Sequence, residues 1–372
     1  MIAQAARPTQ GRLADRRFWL RGALVIVVLV VGLGLPFFLG AFWLSTTDFI
    51  LIAAIGALGL NVLTGYTGQV SLGHAFFLGV GAYTAAFLGD HNVNAAIWIP
   101  AAGVVAGLVG LLVGPTALRL RGLYLAIVTI GLVFLGTHLF VNLPAITGGP
   151  AGRAIAQPQW GPADFGGTGV TVLGISIDRN GLYYYLALLL LALSMWFVHN
   201  LMRTRAGRAM QAVRDREVAA ALVGVNLART KLAAFVVSSF LAGICGAVYG
   251  AFLFHVEPGT WNLLLSIQFV AIIIVGGIGT VWGALLGSVF ISGLPAILNN
   301  YSDSIPFLQH SAGGGGLDVG DATDLVYGIL IVLFLVAEPR GLIGLVARIA
   351  RSIPQRRRIA TASIAVSPVA EE

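Results

Sequence analysis

Charge is what this sequence has least of. Only 10% of its 372 residues are Asp, Glu, Lys or Arg, while 58% are hydrophobic. Ordinary soluble domains carry about 25% charged residues. A mean hydropathy of +0.90 completes the contrast. These figures exclude a soluble globular domain, and the lack of short alternating segments excludes a transmembrane barrel. Cysteine occurs once, as Cys245, so no intrachain disulfide and no cysteine metal cluster can form. Lysine also occurs once. Lys231 follows the stretch Asn226 to Thr230 rather than a glycine loop, and no GxxxxGK[ST] motif is present. The chain therefore has no P-loop with which to hydrolyse ATP.

What is present is a series of apolar runs that approach the roughly 20 residues needed to cross a bilayer. Ten spans are predicted, at about 22–44, 49–64, 74–89, 95–118, 122–143, 182–200, 230–253, 263–278, 280–299 and 324–338. Residues 1–21 are basic and lead into a long apolar run without a small-residue cleavage site, which reads as an uncleaved cytoplasmic segment. Residues 22–340 then form the transmembrane domain, and residues 341–372 a basic cytoplasmic tail. With the N-terminus inside, 20 of the 22 Lys and Arg residues fall in inner segments, all but Arg153 and Arg179. That is the bias of the positive-inside rule, and it predicts both termini in the cytoplasm. The net charge of +7 is spread over inter-span loops. A nucleic-acid binder would gather it on one folded face.

The predicted spans hold no Asp, Glu, Lys or Arg away from their ends, which argues against a proton-driven carrier. The six histidines are scattered and the acids fall mainly in loops. No catalytic constellation or metal cluster is recognisable, so an enzyme is not expected. Glycine, by contrast, occurs 49 times and recurs at short spacing, as at Gly243, Gly246 and Gly250 or Gly279, Gly283 and Gly287. Small residues so spaced let helix backbones approach closely in lipid.

Two segments stand out. Residues 203–231 (RTRAGRAMQAVRDREVAAALVGVNLARTK) contain a predicted surface helix at about 206–224, with Gly224 as its stop. Its centre, Arg214 to Glu217, is too charged for hydrocarbon. Either it lies on lipid headgroups, or it docks a cytoplasmic partner whose groove its small residues and charges would fit. The second segment is GYTGQVSLGHAFF, residues 65–77, a glycine-broken stretch between two short spans. One reading is a compact turn in which Ser71 caps the next helix. The other sets Tyr66, Gly68, Gln69 and Ser71 along a solute path, with a helix N-terminus to meet a carboxylate. A weak echo, Gly65-x-x-Gly68-Gln-Val against Gly276-x-x-Gly279-Thr-Val, links this stretch to a later one.

Five blocks, GYTGQVSLGHAFFLGVGAYTAA, LRLRGLYLAIVTIG, ITGGPAG, AVRDREVAAALVGVNLARTKLAAFVVSSFLAG and VGGIGTVWGALLG, occur in this order between about residues 45 and 345. Together they resemble the M-type permease subunit of branched-chain amino-acid ABC importers, in a superfamily that also holds permeases for urea, short amides and sugars. The resemblance implies an all-α polytopic fold of the type II importer class with ten helices, in a bacterial inner membrane. It implies that the 206–224 helix is the coupling helix. Glu217, Ala219, Ala220 and Gly224 take the places of the family's Glu-Ala-Ala and glycine pattern, with Val218 interrupting it. Arg205, Arg208, Arg214 and Asp215 complete the expected ATPase-coupling set. The implied partners are a homologous H-type permease, two cytoplasmic ABC ATPases, an extracytoplasmic solute-binding protein and membrane lipid. No cofactor is expected on this chain, ATP being used by the partner subunits. The implied role is amino-acid import. A urea, amide or other small-solute permease is the alternative, and a secondary transporter the remaining one.

Overall fold

A computed structural model describes residues 32–117, 123–160, 163–167, 169–172, 175–301, 308–309, 317–318, 325–329, 332–333 and 341–352. The basic segment 1–21, the first part of the first predicted span, the arginines at 119, 121 and 340, and the tail beyond residue 352 lie outside them.

The described chain is a helical bundle. Residues 32–38 form α1, which ends before Gly40. Next come α2 (Ala41–Leu60), extended by a π-helical turn (Asn61–Gly65), α3 (His74–Asp90), α4 (Ala95–Ala117) and α5 (Leu123–Asn142). A loop with the single turn α6 (Pro144–Thr147) leads to α7 (Arg179–Arg203). Two short helices follow, α8 (Arg205–Asp215) and α9 (Glu217–Leu222), then α10 (Leu227–Leu253), α11 (Leu263–Gly276) and α12 (Val281–Tyr301). Residues 325–329 are helical (α13), and α14 (Gly341–Ser352) closes the described chain. Among the described residues six helices are long and apolar enough to cross a membrane: α2 with its π-turn, α4, α5, α7, α10 and α12. The protein is a multi-pass helical membrane protein. At 14 residues α11 is shorter than a full crossing needs.

The boundary between the first two predicted spans is corrected. Residues 45–48, read as a gap, are helical, and the break falls at Leu39–Gly40. The polar run Ser45-Thr46-Thr47 does not interrupt the helix because its hydroxyls bond back one turn. Ser45 and Thr46 donate to the Phe42 carbonyl (both 2.9 Å) and Thr47 to that of Trp43 (2.8 Å). Ser and Thr are tolerated in apolar helices in this way. The correction brings Asp48 into a span, fully buried, with neither carboxylate oxygen hydrogen-bonded. Arg179, at the start of α7, lies within electrostatic range of it. The spans therefore do contain an acid, and its absence no longer argues against a proton-driven carrier.

At the centre lies α10. Its Ala242, Cys245, Ala247, Val248 and Ala251 are fully buried, and it packs on α2, α3 and α4 together. Small residues make this possible. A methyl group at Gly246 would collide with the Leu78 carbonyl of α3, and one at Gly243 would lie 2.5 Å from the Ala102 carbonyl of α4. Without a hydrophobic drive between helices in lipid, such close contact supplies the cohesion. The opposite flank, including Leu108 and Leu112 of α4 and Ile127 and Phe134 of α5, is exposed and apolar, as a lipid-facing wall must be.

The two ends of the bundle differ. At one, α8 and α9 run beside the turns that join α2 to α3 and α11 to α12. At the other, the loop after α5 folds into short turns and two-residue ladders, one of them pairing Arg153–Ala154 with His255–Val256. Arg153 ties that loop to the end of α3 through an ion pair with Asp90, and donates to the Ile146 carbonyl (2.8 Å). Arg179 donates to the Phe252 carbonyl (2.6 Å), with its guanidinium 3.8 Å from the Phe254 ring centre.

Candidate functional site

The stretch after α2 begins with a change of helical pitch. The π-turn Asn61–Gly65 carries one residue more than an α-turn would, a feature that often marks functional sites. The chain then doubles back. Gln69 N donates to the Leu63 carbonyl and Gly68 N to that of Thr64 (both 3.2 Å), while the Thr67 hydroxyl donates to the Leu63 carbonyl (2.5 Å). Gly68 has φ +71°, a conformation that glycine adopts without strain.

The π-turn points Asn61 at the second glycine turn. Its Oδ1 accepts from Gly279 N (2.8 Å), and its Nδ2 donates to the Thr280 carbonyl (2.7 Å). The turns meet backbone to backbone, since a methyl at Gly65 would lie 2.6 Å from Gly279 N. The two halves of the sequence echo are therefore one structure, and Asn61, which no local motif marks, is the residue that joins them. Gly341, at the head of α14, abuts the same turn, 2.7 Å from Gly277 N when given a methyl.

Beside these turns lies the coupling segment. It is two helices rather than one, because Arg216 is extended (φ −157°, ψ 106°) and divides α8 from α9. Thr204 caps α8 by accepting from Gly207 N (3.3 Å). The break lets Glu217 start α9, where an acid suits the helix dipole, and turn back to pair with Lys231 (2.5 Å). Lys231 is almost wholly buried, and its carbonyl accepts from Gln69 Nε2 (3.4 Å). Gly224 ends α9 at φ +85°, with Gly224 N bonded to the Ala221 carbonyl and Val225 N to that of Ala220 (both 3.0 Å). This is the paired closure of a Schellman stop.

Of the expected coupling residues, Arg205, Arg208 and Asp215 are exposed on α8, with Arg208 donating to the Arg203 carbonyl (2.9 Å). Arg214 reaches both glycine turns. Its Cα lies 3.6 Å from where a methyl on Gly68 would stand, and its guanidinium fills the space that a methyl on Gly279 would need. The outward surface of α9 is apolar: Val218, Leu222 and Val223 are 72%, 84% and 79% exposed. Sequence reading gave weight to charges here. The usable signal was a triad of large apolar residues on a segment too charged to enter the membrane.

The four residues set along a possible solute path lie at this same end. Tyr66, Gln69 and Ser71 are buried, and Gly68 is exposed beside Arg214. Ser71 accepts from Gly73 N (3.3 Å), two residues along, and so shapes the turn just before α3. At the α3 N-terminus, the Ala75 amide is taken by the Ser266 hydroxyl of α11 (3.0 Å) and the His74 ring bonds the Gly56 carbonyl (2.9 Å).

None of those four lines the cavity enclosed between the helices. It measures about 430 Å³ and lies between α2, α10, α11, α12 and α13, walled by Phe42, Phe49, Tyr249, Trp261, Phe269 and Tyr327, with Ser45, Gln268 and Ser292 supplying polarity. Pro295 in α12 lacks the amide that would bond the Ile291 carbonyl, and the Tyr327 hydroxyl donates to it instead (3.0 Å). Among the described residues no charged side chain lines the cavity. Among the described residues no three His, Cys, Asp or Glu come together as a metal-binding group.

Comparison with known proteins places this architecture. The family described as branched-chain amino acid transport system / permease component matches residues 42–335. The high-affinity branched-chain amino acid transport system permease protein LivM of Salmonella typhimurium is 31% identical over 333 residues, 86% of this chain and 74% of the relative. The LivH permease of the Escherichia coli system is 24% identical over 309 residues, 78% of this chain and 91% of that protein. The autoinducer 2 import system permease protein LsrC of an Enterobacter strain is 26% identical over 280 residues, 74% and 68% of the two chains. No solved structure matches the chain. The chain belongs to the family of branched-chain amino acid transport system permease components.

Proposed function

We propose that the chain is the M-type permease of an ATP-driven importer for branched-chain amino acids, working beside a homologous H-type permease in a bacterial inner membrane, with both termini in the cytoplasm. The observation that carries the reading is the family match over residues 42–335, joined by similarity to both an M-type and an H-type permease. The α8–α9 end faces the cytoplasm in this reading, in keeping with its density of arginine.

Of the two cytoplasmic ATPases, one docks on the exposed Val218, Leu222 and Val223 of α9, with Arg205, Arg208 and Asp215 setting register around them, and the other on the homologous permease. Apolar anchors with a charged rim are the usual division of labour at an interface. Glu217 and Gly224 act one step back, Glu217 by fastening α9 to Lys231 and Gly224 by ending it. A solute-binding protein delivers the amino acid to the opposite end. The 430 Å³ cavity, apolar and aromatic with a few polar groups, falls in the size range of small-ligand sites and suits an aliphatic side chain. No cofactor is assigned to this chain.

The test is reconstitution of the two permeases and two ATPases in liposomes with the binding protein. ATP-dependent uptake of leucine is the expected result. Uptake of urea or a sugar-like solute in its place would move the chain to another branch of the superfamily, a branch that the similarity to LsrC keeps in view. Uptake by this chain alone, without ATP, would refute the importer reading.

A further inference from the structure

We propose that Asn61 is the pin of an inner gate: it clasps the α2–α3 turn to the α11–α12 turn beneath the cavity, and Arg214 carries movement of the α8–α9 segment to that clasp. The inference deepens the importer reading above and rests on it for the ATP-driven step.

The geometry makes the clasp a floor. The cavity is walled by α2 from Phe42 to Ala53, and by α11 and α12. Following α2 from Ala53 to Asn61 descends about 12 Å at 1.5 Å per residue. There the hairpins that wall the cavity converge, and Asn61 commits both ends of its amide to residues 218 and 219 positions away. Gly65 is what allows the turns to touch, since any side chain there would drive into Gly279 N.

The chemistry suits a clasp that must open and close. Asn61 is neutral, so parting the turns strands no charge, and the freed amide and peptide groups can be met by water entering the path. The π-turn supplies the travel. Returning it to α-helical pairing rotates the following residues by roughly 100°, one residue's worth, which takes Gly65 out of register with Gly279.

Arg214 connects the clasp to the outside. It is exposed at the end of α8, two residues before the extended Arg216, yet its Cα and Cγ lie 3.6 Å from where a methyl on Gly68 would stand, and its guanidinium takes the place of a methyl on Gly279. Moving α8 and α9 displaces Arg214 against both turns at once. The second tie, Glu217 to Lys231 to Gln69, holds the same segment to α10 and the first turn. Arg214 is thus a positioning residue that acts through the turns.

The experiment uses the full permease–ATPase complex in liposomes, with leucine and urea as probes and with release from preloaded vesicles measured without ATP. For Asn61→Ala, passive release is expected to rise roughly tenfold while ATP hydrolysis continues and net uptake is lost. A residue that merely packs would not open a leak. Vesicles that stay tight, with wild-type uptake per ATP, overturn the gate. For Arg214→Ala, at an exposed position that does not threaten folding, tight vesicles and retained ATPases are expected, with uptake per ATP down roughly fivefold or more. Unchanged uptake per ATP overturns the transmission role. Loss of the ATPases from that variant overturns it too, because Arg214 would then belong to the docking surface. A wild-type complex that moves neither probe with ATP refutes the importer reading. A coupled wild type beside a tight and coupled Asn61→Ala refutes the gate alone.

Discussion

Both ends of this bundle are built from glycine-rich chain, and they use it differently. At the end away from α8, Gly148, Gly149 and Gly152 take positive φ so that a loop can fold on itself, and its fastenings combine bonds inside the loop, such as Thr147 to Phe140, with ties to neighbouring helix ends, such as Arg153 to Asp90 and Arg179 to Phe252. At the arginine-rich end, Gly65, Gly68 and Gly279 leave room for something else, a neighbouring turn or an arginine side chain. The bonds there span much greater distances along the chain, from Asn61 to Gly279 and from Gln69 to Lys231. A loop folded on itself makes a cover over the helix ends. Two turns joined backbone to backbone make a junction whose state depends on where whole helices stand, and under the proposed importer reading that is the end at which the ATPases act.

The comparison can be strained in graded steps. The largest effect is expected where close packing holds the helices that frame both ends. Gly246→Val drives a branched side chain into the α3 backbone, and a cost of about 3 kcal/mol, the upper end for overpacking, is expected, seen as loss of folded protein in a thermal melt in detergent. Next is the docking face. Leu222→Glu with Val223→Glu should leave that melt unchanged, because both side chains are exposed, while ATPase binding in pull-down falls by about 2 kcal/mol or more, the range of an interface hot spot. Third is the ion pair. Glu217→Gln leaves the buried Lys231 ammonium without its carboxylate and should cost about 2 kcal/mol, below the range for fully buried pairs because Glu217 is about one-third exposed. Lys231→Met, which removes the buried charge itself, should cost less. If the two variants melt alike, the burial of Lys231 does not govern that end. The smallest effect belongs to the far end, where Arg153→Ala breaks a partly exposed pair with Asp90 and should lower stability by no more than about 1 kcal/mol.

Much of the fold was legible because hydrocarbon is an exacting solvent. Long apolar runs must be helices there, and the runs from 95, 123, 227 and 281 start within a few residues of where sequence reading placed them. Gly224 was legible too, since a helix stop with positive φ favours one residue type. Asp48 was misread for a physical reason. Hydropathy scores hydroxyls as polar, whereas Ser45, Thr46 and Thr47 satisfy themselves within the helix and carry it on toward the carboxylate. The kink at Arg216 was hidden because good helix formers lie on both sides, and the pairing of Glu217 with the buried Lys231 leaves no trace in the local sequence. Asn61 was beyond reach for another reason. Its meaning lies in a turn more than 200 residues away, and a lone Asn in an apolar run carries no local pattern.

The solitary thiol has a practical consequence. Cys245 is fully buried in α10, and its Sγ donates to the Ile52 carbonyl (3.1 Å). Water-borne maleimides should therefore pass the native chain by, as buried structural thiols are inert. A fluorophore placed through a new cysteine at an exposed site away from the docking face, such as His91, would report without background from the native thiol. Two such cysteines, one at each end of the bundle, would turn the same silence into a distance measurement between labels.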